Sequence, residues 1–312
     1  MAKEHKPSDS QDGTKTKRLI LRKVTIVCLV LAVLTSMSGV VVFVYNNVSI
    51  ISDAVFARRV DTAIESAEKW VKNHRMDILE KKNSALLKML SECDEVKANP
   101  LFDEIVGSFM ATKVHPKCWK RLIDPNWPVN GPELNQTIAK ESIDNKWVLY
   151  AIATDEAKIT PEEMHLFDPQ RWQWRQLTHQ LNALVTLKKR SGKTDEELDE
   201  LIEHLCGRLS SELVFDMAVV DIYIQKVAFV LRAGYPEKIR SRWIERIVAN
   251  QLPDGGWNDR WFCFTSGRRP VFNLSAPPSN QHATVQALTA LYLAKYRYPE
   301  HFGLKTESLG SK

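Results

Sequence analysis

Three polar residues share one frame in the C-terminal half of the chain. Gln176, Asp221 and His282 each lie four positions before a glutamine, namely Gln180, Gln225 and Gln286. Four positions is about one helical turn, so on helices each polar side chain shares a face with its glutamine, one turn toward the N-terminus. If three such helices stand side by side, these residues ring one mouth of the space they enclose. A carboxylate and an imidazole there could act as general acid and base, provided they come within hydrogen-bond reach. The same pair could instead cap neighbouring helices or bond loop backbone. Asp221 and His282 are therefore the catalytic candidates, and Gln176, Gln225 and Gln286 are candidates for holding a ligand beside them.

The frame belongs to an internal repeat. Segments 178–185, 224–230 and 285–291 share a glutamine, a small residue three places later and apolar flanks, while 201–205 aligns with 243–247. Gln180 and Gln225 are 45 residues apart and the two Ile-Glu pairs 42 apart, which is one helical hairpin per repeat. Thr194 with Glu197 predicts a capping box before Leu198, and Pro236 suits the first turn of the next helix. Asp195, Glu196 and Asp199 fall in a first helical turn, where the helix dipole favours carboxylates, so no metal is assigned to them.

A helix over 243–251 runs into Pro253-Asp254-Gly255-Gly256-Trp257. Such a turn uses Asp254 to end the helix, glycines where side chains cannot fit, and Trp257 to plug the helix ends. The wording from Gln251 to Trp257 resembles the glutamine-tryptophan turns of terpenoid cyclases. The helix opening at His282, with Thr284, Ala287 and Leu288, resembles the inner helix of the same α/α-toroid superfamily, which protein prenyltransferases and thioester-domain toroids share. The resemblance covers chiefly residues 171–298 and implies a fold. It does not carry a catalytic set, because the chain lacks the Asp-x-Asp-Asp acid of cyclases and the Cys-Gly-Glu-Gln thioester. Asp259, Cys263 and His282 have the residue types of the prenyltransferase zinc site at a far shorter spacing, so neither metal nor cofactor is expected.

The loop over 258–281 is long enough to form a lid or pocket wall. Trp261, Phe262, Phe264, Arg268 and Arg269 would suit an apolar ligand with an anionic head group. Trp257, Trp261, Arg268 and Arg269 join the glutamines as ligand-binding candidates. Phosphate-loop, dinucleotide, nucleophile-elbow and His-Glu-x-x-His motifs are absent, and basic residues are not interleaved with aromatics, so no nucleic-acid partner is expected.

The remaining elements position these residues. The 312 residues carry a formal net charge of +5, much of it within residues 1–23, a polar basic tail read as disordered and cytoplasmic. Residues 24–45 carry no charge and, at about 1.5 Å per residue, suffice for a hydrocarbon core of about 30 Å. They read as an uncleaved transmembrane signal anchor, with the basic side inside and the larger domain periplasmic, lumenal or extracellular. Residues 46–98 read as a helical stalk and first hairpin, 99–304 as the α/α-toroid-like domain, and 305–312 as a disordered C-terminus. Outside the span, Cys93, Cys118, Cys206 and Cys263 permit two disulfides, Cys93 with Cys118 and Cys206 with Cys263 by proximity, or free buried thiols.

The expectation is thus an all-α single-pass membrane protein: an N-terminal transmembrane helix followed by helical hairpins forming a compact or incomplete α/α toroid. The leading function is a membrane-tethered exoplasmic binding or scaffold domain for a partner protein or an apolar, lipid- or glycan-linked ligand. One alternative is a toroid enzyme acting on a lipid or polysaccharide through Asp221 and His282; the other is a stalk-mediated oligomeric structural protein. Whether the chain is an enzyme is left open by the sequence.

Overall fold

A helix whose side chains are buried on every side must be surrounded by other elements. Two segments meet that condition: Tyr223–Arg232 is buried throughout, and so is every residue from Ala283 to Tyr292. They form the centre of the domain, and the other helices follow from the need to cover them.

The computed structural model describes residues 25, 28–31, 37–49, 51–81, 83–113, 116–154, 156–157, 174–191, 196–216, 218–259 and 278–304. Eleven helices are named here: α1 Asp53–Asn73, α2 Arg75–Lys81, α3 Ser84–Val96, α4 Pro100–Ala111, α5 Gly131–Lys140, α6 Ile143–Ile152, α7 Trp174–Ser191, α8 Glu196–Leu213, α9 Asp221–Ala233, α10 Ser241–Ala249 and α11 Gln281–Tyr292. A 3-10 segment, Lys117–Leu122, lies between α4 and α5, and a π turn, Leu293–Arg297, continues α11. The domain is all-α. Among the described residues there is no strand, only an isolated bridge between Trp257 and Asn280.

Successive packing partners close a cycle. Helix α3 packs on α11, α11 on α9, α9 on α7, α7 on α6, α6 on the 117–122 segment, and that segment returns to α3. A second set covers them from outside: α1 lies on α11, α4 on α3, α8 on α7 and α9, and α10 on α1, α9 and α11. Gln180, Gln225 and Gln286 fall on α7, α9 and α11, whereas the aligned segments 201–205 and 243–247 fall on α8 and α10. The repeat therefore alternates between the two sets.

Residues 46–312 form one compact unit and residues 1–45 another. Helix α1, expected to lead into the domain as a stalk, is part of its core. Val60, Ala63, Ile64, Ala67, Trp70 and Val71 are buried along one face. The Tyr292 hydroxyl donates to Glu68, and Lys295 pairs with Asp61. An apolar stripe this long is satisfied by docking on α11, which removes the reason for a free-standing stalk.

Two further expectations change. Cys93 and Cys118 are unbridged buried thiols. Burial pushes Cys93 up to about 12, where it stays a neutral thiol near the Thr289 hydroxyl, 3.6 Å from the sulfur. The pairing of Cys206 with Cys263 lies outside the described residues, although Cys206 is itself a buried free thiol. Pro236 does not open α10: it begins a separate 3-10 turn, Pro236–Lys238, ahead of it. The Thr194 cap lies outside the described residues.

Among the described residues no helix is long and apolar enough to cross a membrane. Of the expected span over 24–45, residues 25, 28–31 and 37–45 are described and all are helical. Leu29, Val30, Leu31, Met37, Val40, Val41, Phe43, Val44 and Tyr45 are exposed apolar side chains there.

The turn after α10 shows why its glycines are needed. Gly255 has φ +92°, and a side chain on it would run into the Ser66 carbonyl of α1. A Cβ on Gly256 would meet the Trp70 indole nitrogen at 2.8 Å and Thr284 Oγ1 at 2.9 Å. Gln251 donates to the Ala63 carbonyl at 2.9 Å and the Gly255 carbonyl at 2.8 Å. Asp254 accepts from the Gly256 amide at 3.0 Å and from Ser279, which itself accepts from Trp70 Nε1 at 2.8 Å. Trp257 is buried, its indole donating to the Ile247 carbonyl at 2.7 Å and its amide to Thr284 Oγ1 at 2.9 Å. The turn thereby joins α1, α10 and α11.

Candidate functional site

Asp221 and His282 open α9 and α11 respectively, and the two helices pack against each other. This places their side chains together: His282 Nδ1 is 2.7 Å from Asp221 Oδ1. Both remain partly accessible, with side chains 39% and 27% exposed. On the far side of the ring, His282 Nε2 lies 3.2 Å from Gln286 Nε2, one turn further along α11. With its Nδ1–H donated to Asp221, neutral His282 presents an Nε2 lone pair that the Gln286 amide donates to.

The cycle of helices encloses a cavity of about 310 Å³. Its wall includes His282 and Gln286 from α11, Gln225 and Phe229 from α9, His179 and Asn182 from α7, Asn145 and Val148 from α6, Trp119 from the 3-10 segment, and Asn83, Leu86 and Met89 around the start of α3. Glu141 and Lys81 add a charge of each sign. The 3-10 segment is held by Lys120, whose ammonium donates to the Met110 and Thr112 carbonyls at 2.7 and 2.6 Å and so satisfies the end of α4.

The amides are oriented by their oxygens. Asn83 Oδ1 accepts from the Ala85 and Leu86 amides as the cap of α3, at 3.1 and 3.4 Å. Asn182 Oδ1 accepts from Arg232 at 2.8 Å, and Gln225 Oε1 from the Thr178 hydroxyl at 2.6 Å. With the oxygens engaged, the amino groups of these three residues are what remain to meet a ligand. Gln286 supplies the opposite need: its Oε1 is buried with no hydrogen-bond partner, and Asp144 Oδ1 of α6 is in the same condition. A buried unsatisfied acceptor costs about 1–3 kcal/mol, so either oxygen gains if a donor is brought to it.

The two imidazoles in the wall are driven apart. Burial lowers His179, and the charge on His282 adds to that, against the attraction of Asp144 and Asp221. Burial also opposes charge on His282, but the hydrogen bond and charge of Asp221, with Asp259 behind, raise it above the usual imidazole value. The wall thus carries one imidazole shifted toward its neutral form and another shifted toward its protonated form. That is the arrangement of a base and an acid.

The site residues expected from sequence divide clearly. Asp221, His282, Gln225 and Gln286 come together at the cavity. Trp257 is a buried plug bonded to Ile247 and Thr284, away from the cavity wall. Gln176 lies near the start of α7, its side chain outside the described residues, and Trp261, Arg268 and Arg269 lie outside them altogether. His179, Asn182, Asn83, Asn145 and Glu141 were not expected. Among them only His179 had a visible signal, an imidazole adjacent to the repeat glutamine Gln180.

A wider, shallow groove of about 780 Å³ on α8 is lined by Glu203, His204, Arg208 and Lys238 among others, with Lys238 paired to Glu203 at 3.0 Å. Among the described residues no cluster of three or more His, Cys, Asp or Glu side chains could hold a metal. No protein-family model matches the chain, and no curated protein or solved structure matches it.

Proposed function

We propose that the chain is a membrane-tethered domain of compact α/α-toroid type. Its central cavity takes a small polyhydroxylated ligand of glycan character, with which His282, paired with Asp221, and His179 exchange protons. The observation that carries this reading is the 2.7 Å approach of His282 to Asp221 at the wall of an open cavity. Amide donors, with the side chains of Trp119 and Phe229 in the wall, suit the hydroxyl groups and apolar parts of a sugar. The closed cycle of inner elements and its outer cover support the toroid. The exposed apolar side chains among residues 29–31 and 37–45 support the tether, since such side chains are satisfied by lipid.

The proton chemistry follows from the pairing. In hydrolysis of a glycosidic bond, neutral His179 takes a proton from a water as its oxygen bonds to the anomeric carbon, while His282 delivers its Nε2 proton to the oxygen whose bond to that carbon breaks. When Nε2 is protonated it needs an acceptor, and rotation of the Gln286 amide brings Oε1 to it, using the oxygen that otherwise has no partner. A scaffold that only holds a partner protein would have no use for an open centre lined in this way. Binding without turnover remains the second reading, supported by the same cavity.

The test is native mass spectrometry of the full chain, extracted by detergent from its own membranes after an alkaline carbonate wash. The expected result is a carbonate-resistant protein carrying a small molecule that is lost in Gln225→Leu and retained, chemically unchanged, in Asp221→Asn. A protein released by carbonate would remove the tether. A ligand-free protein in every sample, or equal occupancy in Gln225→Leu, would remove the cavity reading.

A further inference from the structure

We infer a second binding site, for a single phosphate-type oxyanion, in the small cavity where α3, α7, α9 and the 117–122 segment meet. It rests on residues separate from the histidine pair. The cavity measures about 70 Å³ and is bordered by five cations, Lys88, Arg121, Lys189, Arg190 and Arg232, against one lining carboxylate, Glu92. A space of that size holds about one tetrahedral oxyanion, with little room for anything larger.

Glu92 does not cancel the excess. Arg232 grips it through Nε at 2.5 Å and Nη2 at 3.1 Å, and Lys189 binds Oε1 at 2.9 Å, so two cations share one carboxylate. Those bonds hold Glu92 ionised in spite of its burial. Of the others, Lys88 reaches Glu95 at 3.3 Å, Arg121 reaches Glu156 at 2.8 Å, and Arg190 donates to the Pro125 carbonyl at 3.1 Å. Glu95 is largely exposed and Lys88 and Arg121 are not, so the positive ends are the less hydrated ones. Assembling several poorly hydrated cations from four elements around a void is costly, and an anion in the void offsets that cost through charge-assisted hydrogen bonds. The ammonium groups of Lys88 and Lys189, each with donors beyond its carboxylate contact, are the side chains placed to reach it. Lys189, about half exposed, stands at the entrance.

The probe is inorganic phosphate, added to the full chain in detergent micelles at constant ionic strength with chloride as reference. Calorimetry and the melting temperature are both recorded. Saturable, phosphate-specific heat and stabilisation are expected. Lys189→Met should weaken binding at least tenfold, and Lys88→Met should weaken it too. Lys188→Met, which removes a neighbour that pairs with Asp199 instead, should leave it unchanged. Equal responses to phosphate and chloride would overturn the site, as would wild-type affinity in both Lys189→Met and Lys88→Met. Because Lys189 is a rim residue, its variant should fold, and Lys88→Met provides an independent measurement if it does not. Phenyl phosphate separates the sources: competition with phosphate assigns the cavity to the end of a phosphomonoester, and failure to compete assigns it to the free anion.

Discussion

His179 and His282 share a cavity wall, but only His282 is in hydrogen-bond contact with the Asp221 carboxylate. For His282 the folded-state pKa is raised. Its contribution to stability is therefore full below the unfolded imidazole value of about 6.5 and lost as pH rises through the folded value. For His179 the sign is reversed: its folded pKa is lowered, so its contribution is full above about 6.5 and lost as pH falls. Nitrogen-15 NMR of histidine-labelled chain should resolve one ring titrating above the ordinary value and one below. Asp221→Asn should bring down the upper titration far more than it moves the lower one. Two rings titrating together at the ordinary value would deny the acid and base roles. The sequence disclosed half of this site. Asp221 and His282 stood out because the glutamine frame repeats them, whereas His179 and Asn182 are brought to the wall by the rotation of α7 alone. Asn83 belongs to no repeat and reaches the cavity only because it caps α3.

At the scale of elements, the turn from Gln251 to Trp257 was legible because its needs are local. Its partner was not. Gly255 is required less by the turn itself than by the Ser66 carbonyl of α1, nearly two hundred positions earlier. Gly234 also has positive φ, +95°, as the C-terminal cap of α9, but nothing lies within 4 Å of a Cβ there. Gly234→Ala is expected to cost about 1–2 kcal/mol, the left-handed backbone term. Gly255→Ala adds a collision and should cost about 2–4 kcal/mol. Denaturant midpoints compare them, and equal losses would mean that the approach to α1 is not tight. Helix α10 also stops at Ala249, short of the expected Gln251, because the Gln251 carboxamide turns back to bond Ala63 and Gly255. Hydrophobic spacing locates such a helix but does not reveal a side chain recruited elsewhere.

At the scale of the molecule, the alternation of inner and outer helices could be read from the repeat between Thr178 and Leu291. The closing arc, α3 with the 117–122 segment and α6, could not, since those elements carry no repeat and are separated by proline-rich connections. Closure depends on the two ends of the domain. Helix α1 buries its apolar face on α11, and Trp70 is linked through Ser279 to Asp254. A chain truncated after Asp259 would lack α11, and limited proteolysis should then cut within α1, which the intact chain protects. Protection of α1 in the truncated chain would show that it folds without that partner. The same dependence sets the timing of birth on the ribosome. The first helix of the domain has to wait, its apolar stripe uncovered, until residues 281–292 have been delivered, and it leans on chaperones in the interval.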